Sequence, residues 1–451
     1  FFKIIAIYNS ELGLHGDEAQ YWVWSKELSW GYFSKPPLIA VIIRSFGTLL
    51  GDSIFAIKLI SSIFYVFSSY VVFLLAKTIF DPKIGLLSAL TFFLIPGVSF
   101  SSFIISTDVP LLLFWAISLY LLFEQIKKPN VLRSIFLGVT IGLGFLSKYA
   151  MLYIFICTAF YAFINKEFFS HLIKNNKLYL LSFLIFLITV SPNIYWNIKN
   201  EWLTFIHTYD NASFGYSGLK FYEFSNFFIA QILIIGPVFF GTCIYFFRDI
   251  FKTSYENSFL LSYSMPILLI IALESLFVRA HGNWAAVSFV ALVILFVSFF
   301  VSKNIQILFI NNVVNLVFGL VFFCLILIGP NFKVLDQLRG YDDFSKLLTK
   351  YAMAENIRNF VIQERMLYSL VAYHLRGHGY AFYTPRKDRS RAVHHFQINK
   401  GLSENFNKNF VYLGNPSDLN YLKKTHKKIL LKNENINQKV KNVSIYKYIF
   451  N

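Results

Sequence analysis

Long apolar stretches alternate with short polar ones over the first 330 residues of the chain. Ten stretches approach the length that a helix needs to cross about 30 Å of hydrocarbon, and a bilayer core without water forces them to be helical. With residues 1–8, which we interpret as the end of a further helix, they predict about eleven or more transmembrane helices. The ten helices are predicted over residues 54–76, 84–104, 109–126, 131–147, 149–165, 178–197, 226–247, 258–277, 284–302 and 306–329.

The pattern changes at both ends of this region. The apolar stretch 36–50 is shorter and carries Arg44, which is typical of a helix lying on the membrane surface. After residue 330, "FVIQER", "YAFYTP", "NFVYLG" and "VSIYKYIF" read as strands, and "MLYSLVAYHLRG" and "DLNYLKKTHKKI" between them read as helices. We therefore expect a membrane domain over residues 1–330 and a small soluble α/β domain over residues 331–451.

Composition and charge agree with this class and give an orientation. The chain is 56% hydrophobic and 14% charged, whereas soluble proteins carry about 25% charged residues. One alternate set of loops holds 11 Lys and Arg, and the other, longer set holds 7. The positive-inside rule places the first set in the cytoplasm. The second set faces outward, and so does the tail after residue 330, which carries 21 Lys and Arg against 9 Asp and Glu. The cation-rich set comprises residues 77–83, 127–133, 166–177, 248–257 and 303–305, and the outward set comprises residues 9–53, 105–107, 147–148, 198–225 and 278–283.

The candidate functional residues all lie in or beside the outward segments. The first segment contains the adjacent acids Asp17 and Glu18, and later Lys35 before two prolines. The second segment brings Asp108 to the mouth of a helix. Two further cations on the same face could hold an anion, namely Lys148 and Arg279. Candidate substrate-binding residues are Tyr21, Tyr32, Asn193, His207, His281 and Asn283.

Each candidate also has a structural interpretation. Asp108 could be a helix N-cap, Lys35 a lysine that extends towards the membrane surface, and the tyrosines part of an interfacial aromatic belt. The histidines could be ordinary loop residues, and the acidic pair could stabilise the start of a helix through its dipole. The spacing of His, Cys and acidic residues gives no metal signature, and the 3 cysteines fall inside apolar runs. No glycine-rich nucleotide loop is present in the sequence, and no nucleic-acid partner is expected.

Two motifs carry a family resemblance. "GDEAQYWVWSKELSWGYFSKPPLIA" and "STDVPLLLFW" resemble bacterial members of the dolichyl-phosphate-mannose–protein mannosyltransferase superfamily (glycosyltransferase families 39 and 83), including the lipid A aminoarabinose transferases. "SPNIYWNIKNEWLTFIHTYDNASF" and "RAHGNWAAVSFVAL" also resemble that branch. The resemblance implies the C-type glycosyltransferase fold, an acidic motif in the first outer loop and a lipid-linked sugar donor.

The resemblance also implies roles for single residues. Asp17 matches the catalytic carboxylate and Glu18 its neighbour. Lys35 matches the lysine that contacts the donor phosphate, and Asp108 matches a second acidic position near the acceptor or the leaving group. Ser34 stands where the aminoarabinose transferases tend to carry an acid that is linked to metal or donor contact. Its presence argues against both a bound metal and that donor, although a divalent metal stays possible. No other cofactor is expected.

The sequence thus predicts an enzyme of the bacterial inner membrane with its active site facing the periplasm. We expect it to move a sugar from a polyprenyl phosphate to an envelope glycolipid, of the lipid A, core or O-antigen type, or to a protein. The alternatives are a flippase for lipid-linked sugars and a membrane scaffold that binds a partner. Transporters place charges near the bilayer midplane, whereas the charged candidate residues here lie in or beside the outward loops and the predicted spans hold few charges.

Overall fold

The computed structural model describes residues 2–212, 218–250, 254–329, 333–386, 392–423, 426–437 and 439–450. Short 3-10 turns cover Tyr149–Leu152, Gly282–Ala285 and Pro416–Leu419. The helices are α1 (Phe2–Asn9), α2 (Gly16–Lys26), α3 (Leu38–Leu50), α4 (Ile54–Ile79), α5 (Pro82–Leu94), α6 (Pro96–Ser101), α7 (Asp108–Lys127), α8 (Val131–Ser147), α9 (Tyr153–Ile164), α10 (Lys166–Lys174), α11 (Asn176–Lys199), α12 (Leu203–Ala212), α13 (Phe221–Ile235), α14 (Pro237–Tyr245), α15 (Phe247–Ile250), α16 (Tyr255–Ser262), α17 (Met265–Phe277), α18 (Ser288–Lys303), α19 (Ile305–Ile328), α20 (Lys333–Asp336), α21 (Tyr341–Ala354), α22 (Arg365–His374) and α23 (Phe396–Asn399). The strands are β1 (Asn359–Ile362), β2 (Ala381–Tyr383), β3 (Phe410–Leu413), β4 (His426–Glu434) and β5 (Val443–Phe450).

The architecture is that of a polytopic α-helical membrane protein, as predicted. In the described part of the chain, 5 helical stretches are long and apolar enough to cross a bilayer, or up to 7 if each sharply bent helix pair counts as one span. Four shorter apolar helices, α3, α5, α8 and α18, accompany them. The count of about eleven or more spans therefore stays a prediction.

Prolines divide several stretches that the apolar pattern predicts as continuous helices. The stretch 84–104 is split into α5 and α6 before Pro96. The stretch 226–247 bends by 113° between α13 and α14, where Gly236 takes a φ of +94° and Pro237 follows. Proline lacks the N–H that a continuing helix needs, and glycine alone adopts that φ without strain. A single straight helix over either stretch is therefore a wrong prediction.

The chain forms two compact units. The first comprises Phe1–Ile4, Lys35–Ile39 and Lys58–Cys324, and the second comprises Ile5–Ser34, Ala40–Ile57 and Leu325–Asn451. The domain boundary predicted at residues 330 and 331 lies outside the described residues and stays a prediction.

In the first unit, glycines on α8 allow α11 to approach closely. A Cβ on Gly138 would come within 2.4 Å of the Ser182 carbonyl oxygen, and one on Gly142 within 2.5 Å of the Thr189 side chain. Small residues spaced by four are the common means of close helix packing in membranes, where no hydrophobic effect drives helices together. The packing of α8 fixes the end of this helix, which bears a candidate site residue.

The second unit contains a mixed five-stranded sheet in the order β2-β1-β3-β5-β4. Strand β1 is parallel to β2 and β3, whereas β5 is antiparallel to β3 and β4. Its core includes Val361, Phe410, Tyr412 and Tyr448. Helix α2 packs on α22, where a Cβ on Gly16 would come within 2.8 Å of the Met366 side chain.

The predicted strands over "FVIQER", "YAFYTP", "NFVYLG" and "VSIYKYIF" and the helix after the first of them are present. A helix is predicted over residues 418–429, of which the structure describes all but 424–425. In the described residues this prediction is wrong. A single 3-10 turn ends at Leu419, and β4 begins at His426. The lysine-rich segment instead pairs with β5 as an edge strand of this sheet, where lysines discourage pairing with other chains.

Candidate functional site

Three of the predicted site residues meet at the start of α7 in the first unit. Asp108 Oδ1 lies 2.7 Å from Lys148 Nζ, and Asn283 donates its side-chain N–H to Asp108 Oδ2 at 2.8 Å. The N-cap of α7 is Thr107, and Asp108 is the first helical residue. The interpretation of Asp108 as an N-cap is therefore wrong. Its carboxylate, in a residue only 8% exposed, is instead engaged through both oxygens.

The hairpin of α7 and α8 explains why residues 108 and 148 meet. A short turn joins the two helices, so the start of α7 and the end of α8 lie at the same end of the pair. Hydrogen bonds between buried polar side chains fix their register: Ser118 donates to Thr140, and Gln125 donates to Ser134, each at 3.0 Å. Such bonds are typical of helices that pack within a membrane.

A small cavity of about 180 Å³ adjoins Asp108. Its polar lining residues include Asp108, Asn283, Tyr65 and Ser101. The Tyr65 hydroxyl donates to Ser101 Oγ at 2.7 Å. The cavity therefore has room for a small polar group next to the charged pair.

The three cations predicted to bind phosphate, Lys35, Lys148 and Arg279, all influence the pKa of the His281 side chain. Burial lowers the pKa of His281 below its ordinary value, and the positive charges of Arg279, Lys148 and Lys35 lower it further. The carboxylate of Glu223 opposes this effect. The loop around His281 is therefore a positively charged environment that favours the neutral form of the ring. An anion bound there would be stabilised by the same charges.

Asn193 belongs to a separate buried network at the end of α11. Tyr149 donates its hydroxyl to Asn193 Oδ1 at 3.1 Å and accepts a bond from Asn197 at 3.4 Å. The ring of Tyr149 stacks on Phe205, with 4.6 Å between centroids. Both asparagines are fully buried. His207 lies on α12 and is only partly exposed.

In the second unit, Asp17 and Glu18 begin α2 but make different contacts. His15 is the N-cap: its Nδ1 accepts from the Asp17 backbone N–H at 3.2 Å, and Glu18 Oε2 accepts from the His15 N–H at 2.8 Å. This reciprocal arrangement is a capping box. The structural interpretation of the acidic pair thus holds for Glu18, a fully buried residue.

The side chain of Asp17 takes no part in the cap and is 39% exposed. Its Oδ1 accepts from Arg365 Nη1 at 3.2 Å, and Arg365 also donates to Gln20. Its Oδ2 lies 3.8 Å from His15 Nδ1, but that nitrogen already accepts a backbone N–H and so carries no proton to donate. Among the described residues, Oδ2 of Asp17 therefore accepts no hydrogen bond and is left to contact a substrate.

Arg365 did not emerge as a candidate from the sequence. It lies in the tail, 348 positions from Asp17, directly after β1 at the start of α22. The signal in the sequence is weak: an arginine that follows a strand and opens a helix. Only the packing of α2 on α22 brings it to Asp17.

The predicted tyrosines of the first loop are packed inside the second unit. Tyr32 stacks on Trp24 at 4.2 Å, lies 5.0 Å from the His395 ring, and donates its hydroxyl to the Trp24 carbonyl. Burial raises the pKa of Tyr32 to about 12 and lowers that of His395 to about 3. Tyr21 is 5% exposed and contacts Trp24 at 5.5 Å. These rings hold the loop that follows α2.

The described part of the chain contains no group of three or more His, Cys, Asp or Glu side chains that could hold a metal ion. The three cysteines are free.

Comparisons with known proteins agree with this architecture. Residues 34–196 match the family model of dolichyl-phosphate-mannose-protein mannosyltransferases. The chain is 30% identical over 376 residues to the lipid A galacturonosyltransferase RgtD of Rhizobium johnstonii, covering 81% of this chain and 79% of that protein.

Solved structures of other proteins share the fold. The chain resembles ArnT from Cupriavidus metallidurans in its structure bound to undecaprenyl phosphate, with a TM-score of 0.69 at 12% identity over 99% of this chain and 96% of that one. The oligosaccharyltransferase of Archaeoglobus fulgidus, in complex with zinc and sulfate, gives a TM-score of 0.51 at 12% identity over 91% and 67% of the chains. At these identities the likeness shows the fold alone.

Proposed function

Because the chain belongs to the dolichyl-phosphate-mannose-protein mannosyltransferase family, we propose that it transfers a sugar from a polyprenyl phosphate to an envelope glycolipid. The glycosyltransferase class follows from the family. Lipid A is the favoured acceptor, because the relative at 30% identity acts on lipid A. A polyprenyl-phosphate donor is favoured because a protein of the same fold binds undecaprenyl phosphate.

The proposed location is the bacterial inner membrane, with the reaction on the periplasmic face. The excess of lysine and arginine in one set of loops supports this orientation. The candidate residues belong to the opposite set. Nucleotide sugars are cytoplasmic, so an outward-facing site needs a donor carried by a lipid.

The proposed reaction is a displacement at the anomeric carbon of the donor sugar. The acceptor hydroxyl oxygen forms a bond to that carbon as the bond to the phosphate oxygen breaks. The hydroxyl proton passes to a carboxylate, and the electron pair leaves with the polyprenyl phosphate. The reaction thus requires a base for the acceptor and positive charge for the leaving phosphate.

We propose that the cations around His281 bind the leaving phosphate. The collection of positive charge around this one side chain is the observation that carries the proposal. Arg279, Lys148 and Lys35 each act electrostatically on that imidazole. Asp108 and Asn283 hold one of them, Lys148, in position. With both oxygens engaged, Asp108 is better suited to orient this lysine than to take a proton. Preorganised positive charge of this kind commonly lowers a reaction barrier by several kcal/mol.

Asp17 is the proposed general base, and its contacts within the second unit support this role. Its carboxylate is partly exposed and keeps one oxygen for a substrate hydroxyl. Glu18 holds the start of the helix that bears it, and Arg365 fixes the other oxygen. In this proposal Glu18 and Arg365 are positioning residues.

The remaining predicted residues have supporting roles in the proposal. Tyr21 and Tyr32 act through the packing of the first loop. Asn193 acts through its bond to Tyr149. His207, which is partly exposed, remains a proposed contact of the substrate.

The proposal is tested with purified protein in vesicles that contain a polyprenyl-phosphate sugar labelled in the sugar. Transfer of label to lipid A supports the enzyme. Movement of the labelled lipid across the bilayer without transfer would support the flippase instead. A protein with Asp17→Asn is the matched control, since it should bind the donor and form product about 10²–10⁴-fold more slowly.

A further inference from the structure

The second unit contains a cavity of about 690 Å³ that the proposed reaction does not use. It opens where β1 and β3 end: Gln363 and Glu364 follow β1, and Gly414 and Asn415 follow β3. The first turns of α22 and the loop between β4 and β5 complete its wall. Its volume lies within the range of about 300–1,000 Å³ that is usual for small-molecule sites.

The cavity occupies the position in the sheet where ligands are generally found. Strand β1 lies between β2 and β3 and is parallel to both. The chain leaves β1 through α22 towards β2, and it leaves β3 towards β4 and β5 on the other side. Loops that diverge from neighbouring parallel strands leave a crevice at their carboxyl ends, and ligands of open α/β sheets bind in that crevice.

One wall of the cavity is held by a close approach of backbone and side chain. Gly414 has a φ of +154°, and a Cβ there would come within 2.6 Å of Gln363 Oε1 and 2.5 Å of the Tyr412 hydroxyl. The Asn415 N–H donates to Gln363 Oε1 at 2.9 Å, and the Tyr412 hydroxyl donates to the Asn415 carbonyl at 2.8 Å. These bonds preform the wall before any ligand binds.

The opposite wall is equally fixed. A Cβ on Gly340 would come within 2.2 Å of the Ile436 carbonyl oxygen, so only glycine allows this approach at its φ of +82°. Asn437 donates its side-chain N–H to the Arg339 carbonyl at 3.1 Å and accepts from the Val440 N–H at 2.8 Å. The loop that bears the cations of the cavity is therefore anchored.

The chemistry of the lining favours an anionic saccharide. Leu370 and Leu413 give apolar lining, and the partly exposed ring of Tyr446 can pack on a sugar face. Amide side chains on the walls match sugar hydroxyls. Two lysines, Lys439 and Lys441, supply positive charge.

The charges of the lining leave a positive excess. Lys439 pairs only with a neutral group among its described interactions, donating to Gln337 Oε1 at 2.8 Å. Glu364 is the acidic residue among the lining residues, and its carboxylate accepts the Met366 and Leu367 N–H groups at 2.9 and 2.6 Å as the cap of α22. The oxygens of the acid are thus engaged by the start of α22, and two lysines against one carboxylate leave the lining with a net positive charge.

We propose that this cavity binds a saccharide that carries phosphate or carboxylate groups. The choice of a saccharide over other anions rests on the proposed function. His15 and Gly16, the two residues before Asp17, also line the cavity. A bound sugar would thus lie against the start of the helix that bears the proposed base.

The test uses the full-length protein in phosphatidylcholine nanodiscs and measures binding directly by calorimetry. The probes are trigalacturonate, its neutral counterpart galactotriose, and inorganic phosphate. We expect trigalacturonate to bind more tightly than either of the others. Its affinity should fall about tenfold or more in Lys439→Ala/Lys441→Ala, since charge-assisted hydrogen bonds are lost. Ser444→Trp, which places a large ring in the cavity, should abolish binding.

The matched control is Lys408→Ala/Lys427→Ala, which removes two exposed lysines of the same unit that do not line the cavity. Equal loss of affinity in this control, equal binding of galactotriose or phosphate, or no binding of trigalacturonate would each overturn the proposal. Nanodiscs that also contain lipid A identify the source: loss of trigalacturonate binding there indicates a glycolipid head group, and unchanged binding indicates a free saccharide. Binding without enzymatic transfer would contradict the proposed function alone, whereas transfer without binding would contradict this inference alone.

Discussion

Replacing Asp17 with asparagine should separate catalysis from folding. The side chain of Asp17 lies outside the capping box, which is formed by His15 and Glu18. An asparagine has the same shape, and its carbonyl oxygen can still accept the hydrogen bond from Arg365. The change therefore removes the negative charge and the ability to take a proton, and leaves the helix start intact.

The two effects differ widely in size. The ion pair between Asp17 and Arg365 is more than a third exposed on both sides, so its loss should cost about 0–1 kcal/mol of stability. Loss of a general base typically slows a reaction by about 10²–10⁴-fold, which raises the barrier by roughly 3–5 kcal/mol. We expect an unchanged melting temperature within a few degrees and a large fall in kcat.

Glu18→Gln is the matched control. Glutamine at this position also forms a capping box, so the neighbouring acid is neutralised while the helix start is kept. Both variants are reconstituted at equal amounts, and transfer of label from the polyprenyl-phosphate donor is timed. Full activity in Asp17→Asn, or an equal loss in Glu18→Gln, would refute the assignment of Asp17 as the base.

Three further predictions concern the phosphate site and the topology. Lys35→Ala should raise the KM for the donor and Lys35→Arg should restore it only partly, because a planar guanidinium differs from a point charge; an unchanged donor KM in both would remove the lysine from the site. Asp108→Asn and Lys148→Met should each lower kcat/KM, and their double mutant should lose less than the sum of the two, with a coupling of about 0.5–3 kcal/mol for a contacting pair; additive losses would show that the pair does not act as a unit. Single cysteines at Glu11 and Ser417, introduced after replacement of the 3 native cysteines, should both react with an impermeant reagent in intact spheroplasts; protection of either until lysis would contradict the shared outer face.

The helical class of the protein could be predicted from the sequence because bilayer spans leave a strong one-dimensional signal. Apolar runs mark where α4, α7, α11 and α19 lie, and their bounds agree with the pattern to within a few residues. The break at Gly236 and Pro237 is not visible in such a pattern, since hydropathy continues across it. The sharp bend depends on backbone chemistry at two positions.

The candidate site could be predicted by residue type but not by partner. Asp108, Lys148 and Asn283 could each be selected because they lie in outward segments, and the structure joins them through two helices and a distant loop. The separate roles of Asp17 and Glu18 depend on which carboxylate reaches back to His15. Adjacent acids do not encode that choice, and it follows from the first turn of α2.

Residues of the tail show where local patterns fail. Arg365 reaches Asp17 through packing between segments 348 positions apart, for which no spacing rule exists. The segment from His426 onward has the composition of a helix with lysines on one face, yet pairing with β5 makes it a strand. In both cases, tertiary contacts decide the outcome.

Mass spectrometry of lipid A tests the central claim most directly. Lipid A is extracted from a strain that lacks the gene, from the same strain complemented with the natural protein, and from one complemented with Asp17→Asn. The account predicts that one sugar residue is missing in the deletion strain, returns with the natural protein and stays missing with Asp17→Asn. Identical lipid A masses in all three strains would contradict transfer to lipid A, and a sugar that returns with Asp17→Asn would contradict the proposed catalytic base.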